Sequence, residues 1–323
     1  MKGEKGKRGK GEREVRAQVV KERAVALGFD ACGIAEAENV DPDDRLGAWL
    51  ARGFHADMDW MARTKEVRQD PRLKLPGAKS VVVVACNYYT GRPDTPVDAG
   101  RVSRYAWGRD YHRVLQKPLK QLADSMASLE AGTQCYCCVD TGPALERAWA
   151  AKAGVGWIGK NSLVLREGLG SWFFLGIIVT TLELLPDAPA RDWCGTCTQC
   201  MQACPTGAIV EPRIVDSRLC ISYQTIENRG QVPEVLRVCF GNWVFGCDLC
   251  QEVCPWNRAA LLTSERDFLP RPGHANPDLA AWAAMDEATF LRSFAGSPIR
   301  RATYEGLRRN IAIARANAAR QNL

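Results

Sequence analysis

The chain has 323 residues, 46% hydrophobic and 25% charged, with a net charge of +6, the composition of an ordinary globular protein of about two domains. No apolar run reaches the ~20 residues a membrane span needs; the best candidate, residues 172–182, is broken by Gly176, Thr180 and Thr181. The N-terminus, MKGEKGKRGKGERE, has no apolar segment behind its charges, so no secretory signal is expected and the cytoplasm is the expected compartment.

In a reducing compartment 14 cysteines point to metal binding or catalysis rather than disulfides. Only three histidines are present, His55, His112 and His274, which disfavours His-based zinc sites and bases. Residues 1–23 hold nine Lys/Arg against four Glu, and residues 294–323 hold six Arg against one Glu. Basic ends around an acidic middle suit a polyanion such as RNA, although a solvated tail and helix face account for them equally well.

Residues 1–23 are expected to be a disordered basic tail, with helical periodicity emerging over 12–27 through Val20, Ala24 and Leu27. Residues 43–63 place Leu46, Trp49 and Leu50 at helical spacing, and the β-branched run 80–86 (SVVVVAC) reads as a buried strand. Residues 111–130 carry Leu115, Leu119, Leu122, Met126 and Leu129 on one helical face, with Pro118 in the early turns. A strand over 134–139 runs into Asp140-Thr141-Gly142-Pro143, Pro143 opens a helix over 144–153, and 172–182 is a third strand. Alternating helices and strands predict an α/β domain with a central sheet over 24–186. After a Pro-rich linker, residues 187–258 form a cysteine-rich domain, and 259–323 a short helical segment with Leu307, Ile311 and Ala314 in a stripe.

The cysteine-rich part carries Cys194-x2-Cys197-x2-Cys200-x3-Cys204-Pro205 and Cys247-x2-Cys250-x3-Cys254-Pro255, with Cys220 upstream of the second run. This is the two-cluster ferredoxin spacing, in which the fourth cysteine of each run ligates the other cluster. One [4Fe–4S] cluster is then expected on Cys194, Cys197, Cys200 and Cys254, the other on Cys204, Cys220, Cys247 and Cys250. A zinc module, built from well-separated C-x2-C pairs, fits the three-cysteine run poorly. Cys32, Cys86, Cys135, Cys137, Cys138 and Cys239 are left for packing. No G-x-G-x-x-G or P-loop is present, so the first domain is neither a dinucleotide fold nor an NTPase.

From Gly28 to about Arg315 the chain resembles the epoxyqueuosine reductases, cobalamin-dependent iron–sulfur enzymes of tRNA modification. The resemblance is carried by Val67-Arg68-Gln-Asp-Pro71, Leu75-Pro-Gly-Ala-Lys-Ser80, Arg104-Tyr-Ala-Trp-Gly-Arg-Asp-Tyr-His112, Val139-Asp-Thr-Gly-Pro143, Gly159-Lys-Asn161, Gly170-Ser-Trp-Phe, Cys220-Ile-Ser-Tyr-Gln-Thr-Ile-Glu227 and both cysteine runs. It implies a nitroreductase-like cobalamin-binding domain, a ferredoxin-like domain with two [4Fe–4S] clusters, and a C-terminal helical segment. The implied substrate is epoxyqueuosine at the wobble position of a tRNA with a GUN anticodon, reduced with electrons from an external low-potential donor by a monomer that needs no membrane.

Within that resemblance Asp140 matches the proton donor, since an epoxide oxygen leaving as water needs an acid; an aspartate before Thr-Gly-Pro is otherwise a helix N-cap. Arg68, Asp140, Asn161, Val164, Leu175, Ser222, Cys247 and Asp248 are implied cobalamin contacts, as is Ser103, which stands where some relatives carry cysteine. Asp110-Tyr111-His112 lacks the glycine of the corrinoid D-x-H-x-x-G motif, having Leu115 there, so His112 is expected to be structural and cobalt to have no histidine ligand. Arg300, Arg301, Arg308, Arg309, Arg315 and Arg320 contact tRNA phosphates or simply face solvent. Rival functions are a corrinoid reductase of another substrate, such as an organohalide, and a non-catalytic electron carrier.

Overall fold

A computed structural model describes residues 2–91, 96 and 99–321, and the side chains of residues 10–320 among them. Its central sheet has four strands in the order Ala31–Glu36, Ser80–Asn87, Phe173–Thr180, Cys135–Cys138, each antiparallel to its neighbours. The helix Tyr111–Ala127 makes the crossover between Ser80–Asn87 and Cys135–Cys138, with Phe173–Thr180 inserted between them. The sheet is therefore mixed in connection but antiparallel in every ladder.

Both faces of the sheet are covered, which is why Ser80–Asn87 is apolar throughout rather than alternating. On one side Val82 and Val84 meet Leu115, Leu119, Leu122 and Met126 together with Val20 and Ala24. On the other, Val81, Val83 and Ala85 meet Trp149, Ala150 and Ala153. Burying one such valine contributes about 1.5–3 kcal/mol. The strand Ala31–Glu36 escapes sequence reading because ACGIAE has a single β-branched residue. Helical spacing over 43–63 resolves into two helices, Arg45–Ala51 and Asp59–Arg63, separated at Gly53, whose φ is 67°.

The N-terminal expectation is corrected. A helix runs Lys2–Ala26, and Ala17, Val20 and Ala24 are buried in the core. Ion pairs Arg13–Glu183 (2.8 Å), Arg16–Glu130 (2.5 Å) and Lys21–Asp187 (2.5 Å) fix its polar sides. Residues 12–23 thus belong to the folded domain; the side chains of the basic residues before Lys10 lie outside the described residues.

The cysteine-rich segment is made of loops and one-turn helices, Gln199–Gln202, Ile221–Ile226 and Leu249–Glu252. It joins the sheet domain through a parallel pair of short strands, Arg101–Val102 and Trp243–Phe245. Val102, Ala106 and Trp107 share an apolar cluster with Val244, Phe245, Ile299, Leu307 and Ile311, so the C-terminal helix Thr303–Gln321 packs onto both. Among the described residues no helix is long and apolar enough to cross a membrane.

Candidate functional site

Eight cysteine thiols lie in two neighbourhoods, although among the described residues no three metal-binding side chains converge closely enough to hold an ion. Burial pushes the Cys254 thiol up, and Cys194, Cys200 and Cys197 lie close enough to push it further. Burial likewise raises Cys250, Cys247 and Cys220, with Cys220 and Cys204 close to Cys250, Cys250 and Cys220 close to Cys247, and Cys204 close to Cys220. Cys200 also lies within range of Cys250, so the two groups adjoin.

Sulfur in both groups is arranged as an acceptor. Ser222 and Tyr223 donate backbone N–H to Cys220, Leu249 to Cys247, Trp256 to Cys254 and Met201 to Cys200, and Ala208 N lies 3.3 Å from Cys204 Sγ. Cys220 and Cys254 stand just before the first residues of a helix and a 3-10 turn, where backbone donors are unsatisfied. N–H···S bonds of this kind stabilise thiolates on iron and tune cluster potential. The donor set fits two [4Fe–4S] cubanes. The remaining cysteines are packing thiols, with Cys32, Cys86 and Cys137 pushed up to about 12 by burial, far from the reactive thiolate range.

Buried polar side chains lock the second cysteine loop to the sheet domain. Asp248 Oδ1 accepts from the Ser103 hydroxyl, and Oδ2 accepts from Arg104 N (2.9 Å) and Nη1 (3.0 Å). Arg104 Nη1 also reaches Glu252 at 2.9 Å. Gly246, at φ 67°, has no room for a side chain because a Cβ would lie 2.4 Å from Ser103 Cβ. Nearby, Asn257 Oδ1 accepts from Ser171 N at 2.7 Å, and Gln251 Nε2 donates to Ser171 Oγ at 3.0 Å. The side-chain polar atoms of Ser103 and Asp248, both implied cobalamin contacts, thus face one another. Asn161 is buried and joins this seam through Nδ2 to Cys250 O at 3.4 Å.

The acid end lies past the edge strand Cys135–Cys138. Asp140 has φ 56°, a left-handed conformation that aspartate tolerates at modest cost. It caps no helix: the next helix is Glu146–Lys152 with Leu145 before it, and Asp140 N donates to Glu146 Oε1 at 2.6 Å. The Asp140 carboxylate is 60% exposed. His112 Nε2 lies 3.3 Å from Asp140 Oδ2, and His112 Nδ1 lies 2.7 Å from Asp110 Oδ1. Burial alone would raise Asp140; the bond and charge of His112, the Tyr111 hydroxyl and Arg301 outweigh it and hold the carboxyl below its ordinary value. Burial and the Asp140 charge push Glu146 up to about 8.

The other expected residues sit on separate elements. Arg68 is buried, with Nε on Thr64 Oγ1 (2.8 Å) and Nη1 on Ala144 O (3.2 Å). Val164 lies buried in the short strand Val164–Leu165, Leu175 half-buried in Phe173–Thr180, and Ser222 half-buried in the first turn after Cys220. Between Asn161 and Val164, Ser162 buries an Oγ with no partner. Arg301 forms a two-pronged ion pair with Glu227 (2.8 and 2.9 Å) and sits over Trp60 at 5.6 Å. Arg309 is taken up by the carbonyls of Gln224, Asn228 and Gly230, leaving Arg300, Arg308, Arg315 and Arg320 on the exposed face. Sequence reasoning missed Tyr111, Glu146 and the contact of His112 with Asp140. The signal for His112 was its place in a matched segment, but nothing in the spacing brings residue 112 to residue 140.

Comparison with known proteins places these features together. The family model described as epoxyqueuosine reductase QueG, DUF1730 matches residues 68–141, and the 4Fe-4S double cluster binding domain matches residues 193–257. The chain is 49% identical over 280 residues to an epoxyqueuosine reductase of Synechocystis sp., covering 86% of this chain and 96% of that one. With the Escherichia coli epoxyqueuosine reductase the identity is 45% over 309 residues, covering 94% and 81%. A crystal structure of epoxyqueuosine reductase with an epoxyqueuosine-modified tRNA-Tyr stem loop superposes with a TM-score of 0.85 at 32% identity, covering 93% of this chain and 81% of that one. The Bacillus subtilis epoxyqueuosine reductase, described with its catalytic aspartate loop swung out of the active site, gives the same values.

Proposed function

The chain belongs to the epoxyqueuosine reductase family, and from that premise we propose that it reduces epoxyqueuosine to queuosine at the wobble position of tRNAs with a GUN anticodon. Both C–O bonds of the epoxide break, a C=C bond forms, and the oxygen leaves as water, which takes two electrons and two protons. The relative crystallised with an epoxyqueuosine-modified tRNA stem loop supports the tRNA substrate. The electrons come from an external low-potential donor. Cys194, Cys197, Cys200 and Cys254 hold one [4Fe–4S] cluster, and Cys204, Cys220, Cys247 and Cys250 hold the second.

Cobalamin fits the residues present: its amide-rimmed ring offers a partner to the orphaned Ser162 hydroxyl and an apolar surface to Val164 and Leu175. Arg68, Asn161, Ser222, Cys247 and Asp248 would border it, with Ser103 and Asp248 contributing backbone and packing rather than free polar atoms. When bound, cobalamin would supply a low-valent metal centre that hands electrons to the epoxide. Asp140 is the acid, its exposed carboxyl able to protonate the departing oxygen.

A single observation carries the reading. The chain superposes with a TM-score of 0.85 on an epoxyqueuosine reductase crystallised with an epoxyqueuosine-modified tRNA stem loop. Anaerobic protein with reconstituted clusters, cobalamin, a low-potential reductant and epoxyqueuosine-containing tRNA should yield queuosine by mass spectrometry of the digested RNA. The product should vanish without cobalamin and with Asp140→Ala. Absence of product from protein with intact cluster absorption and bound corrinoid overturns the reading.

A further inference from the structure

We infer that His112, oriented by Asp110, is a positioning residue that stores the proton and reloads Asp140 between the two protonations of the reaction. The inference rests on Asp140 being the acid. It begins from a mismatch of number: the reaction consumes two protons, and Asp140 can release one per ionisation.

The geometry supplies the second. Asp110 caps the helix Tyr111–Ala127, accepting from His112 N at 3.1 Å, and the same Oδ1 holds His112 Nδ1 at 2.7 Å. That bond leaves Nε2 turned to Asp140 Oδ2 at 3.3 Å. A carboxylate–imidazole–carboxylate line results, with one carboxylate at the start of the helix and the other exposed. The ring cannot easily turn away, because it stacks on Tyr111 (4.1 Å, 28°), which stacks in turn on Phe174 (4.2 Å, 2°). His112 itself remains 32% exposed, so it can exchange protons with water.

Two carboxylates on one imidazole favour its charged form. Burial works against that charge, but the hydrogen bonds and charges of Asp110 and Asp140 prevail and push His112 up to about 9. Other charged or titratable groups near the line are Arg113 beside Asp110, and Tyr111, Tyr105, Glu146, Arg68, Arg147, Arg301 and Cys138 around Asp140. At neutral pH the proton therefore sits on Nε2, and Asp140 rests as a carboxylate, which cannot itself act as an acid.

Each protonation is then one relay. The Nε2–H bond breaks and an O–H bond forms on Asp140, leaving a neutral imidazole on Asp110. That O–H breaks as an O–H forms on the substrate oxygen, restoring the carboxylate, and water reprotonates His112. Two relays deliver the two protons that carry the oxygen off as water, while the two electrons come from the external reductant. The Asp-x-His segment thus serves proton delivery and not cobalt.

With three histidines in the chain, a 13Cε1-histidine NMR titration of the anaerobic, cluster-loaded protein resolves each ring without cobalamin or substrate. The resonance lost in His112→Gln should titrate well above the ordinary 6.5, near 9, and should move down in Asp110→Asn. In single turnover, His112→Gln should slow queuosine formation about 10- to 100-fold, within the usual range for a proton-transfer group, and lose the fall in rate that wild type shows as pH rises through about 9. His112→Phe, which keeps a stacked ring, should behave the same way, and unchanged cluster absorption in each variant reports an intact fold. Titration of His112 at or below pH 7, or a wild-type rate and pH profile in His112→Gln while Asp140→Asn is inactive, overturns the relay alone. Activity retained in Asp140→Asn removes the acid and the relay with it.

Discussion

Arg104→Met should loosen the second cysteine loop from the sheet domain. Arg104 and Asp248 are 5% and 1% exposed at the side chain and meet at 3.0 Å. The guanidinium also lies over Trp172 at 4.8 Å and Trp107 at 5.4 Å, a packing that methionine partly keeps. What the substitution removes is the only cation bonded to Asp248 among the described residues, leaving a buried carboxylate with the Ser103 hydroxyl and the Arg104 N–H. Breaking a buried pair from one side costs about 3–5 kcal/mol, or a fall of about 4–7 °C in melting midpoint for a chain of this size. Burial already raises Asp248, with Arg104 opposing it, so the variant carboxyl should rise further and take up a proton. Arg104→Met/Asp248→Asn should recover more than half of the loss, because no unpaired charge is left, the amide oxygen can still accept from Arg104 N, and the amide NH2 can donate to the Ser103 hydroxyl oxygen. Anaerobic melting, followed by circular dichroism and by cluster absorption, measures both. A loss below about 1 kcal/mol with no change in cluster absorption would show that apolar packing alone seats the loop and that the ion pair is dispensable.

Cys254→Ser should lower bound iron toward about half by removing one cluster while Cys239→Ser leaves it unchanged; equal iron in both variants refutes the crossed ligand set. Gly170→Ala places a Cβ 2.0 Å from Asn257 Oδ1 at a φ of 62°, and should destabilise by more than the ~1 kcal/mol of a simple backbone penalty, read as a lower melting midpoint. Glu146 has its folded pKa raised from 4.5 to about 8 by burial and by Asp140, so the native state holds a proton there that the unfolded chain has lost. Its contribution is fully present below pH 4.5 and disappears as pH rises through about 8. Glu146→Gln keeps an acceptor for Asp140 N and should therefore gain in midpoint over wild type from pH 5 to pH 9; a constant difference between the two refutes the shifted carboxyl.

The parts of this protein legible in its sequence are those set by covalent spacing or by continuous burial. Cysteines two and three residues apart must share a loop wherever that loop lies, so the two thiol groups follow from the chain alone. Ser80–Asn87 is readable because burial on both faces demands β-branched residues at every position, whereas Ala31–Glu36, pressed against helices on small side chains, carries no such mark. The helix Tyr111–Ala127 shows its stripe of leucines, but the stripe says nothing of what its first turn touches. That first turn holds the chemistry. His112 meets Asp140 only because the helix crosses behind the sheet and Cys135–Cys138 pairs along Phe173–Thr180, and both facts belong to topology.

Asp248 shows the same limit from the other side. A polar residue beside a cluster ligand invites a cofactor role, yet its carboxylate is filled by Ser103 and Arg104 before any ring could reach it. A buried carboxylate must find donors wherever the fold first supplies them, since leaving one unpaired costs several kcal/mol. An exposed carboxylate is under no such obligation and stays available to a substrate. Asp140 and Asp248 are the same residue type, and what separates an available carboxylate from a clamp is which of them the fold leaves open.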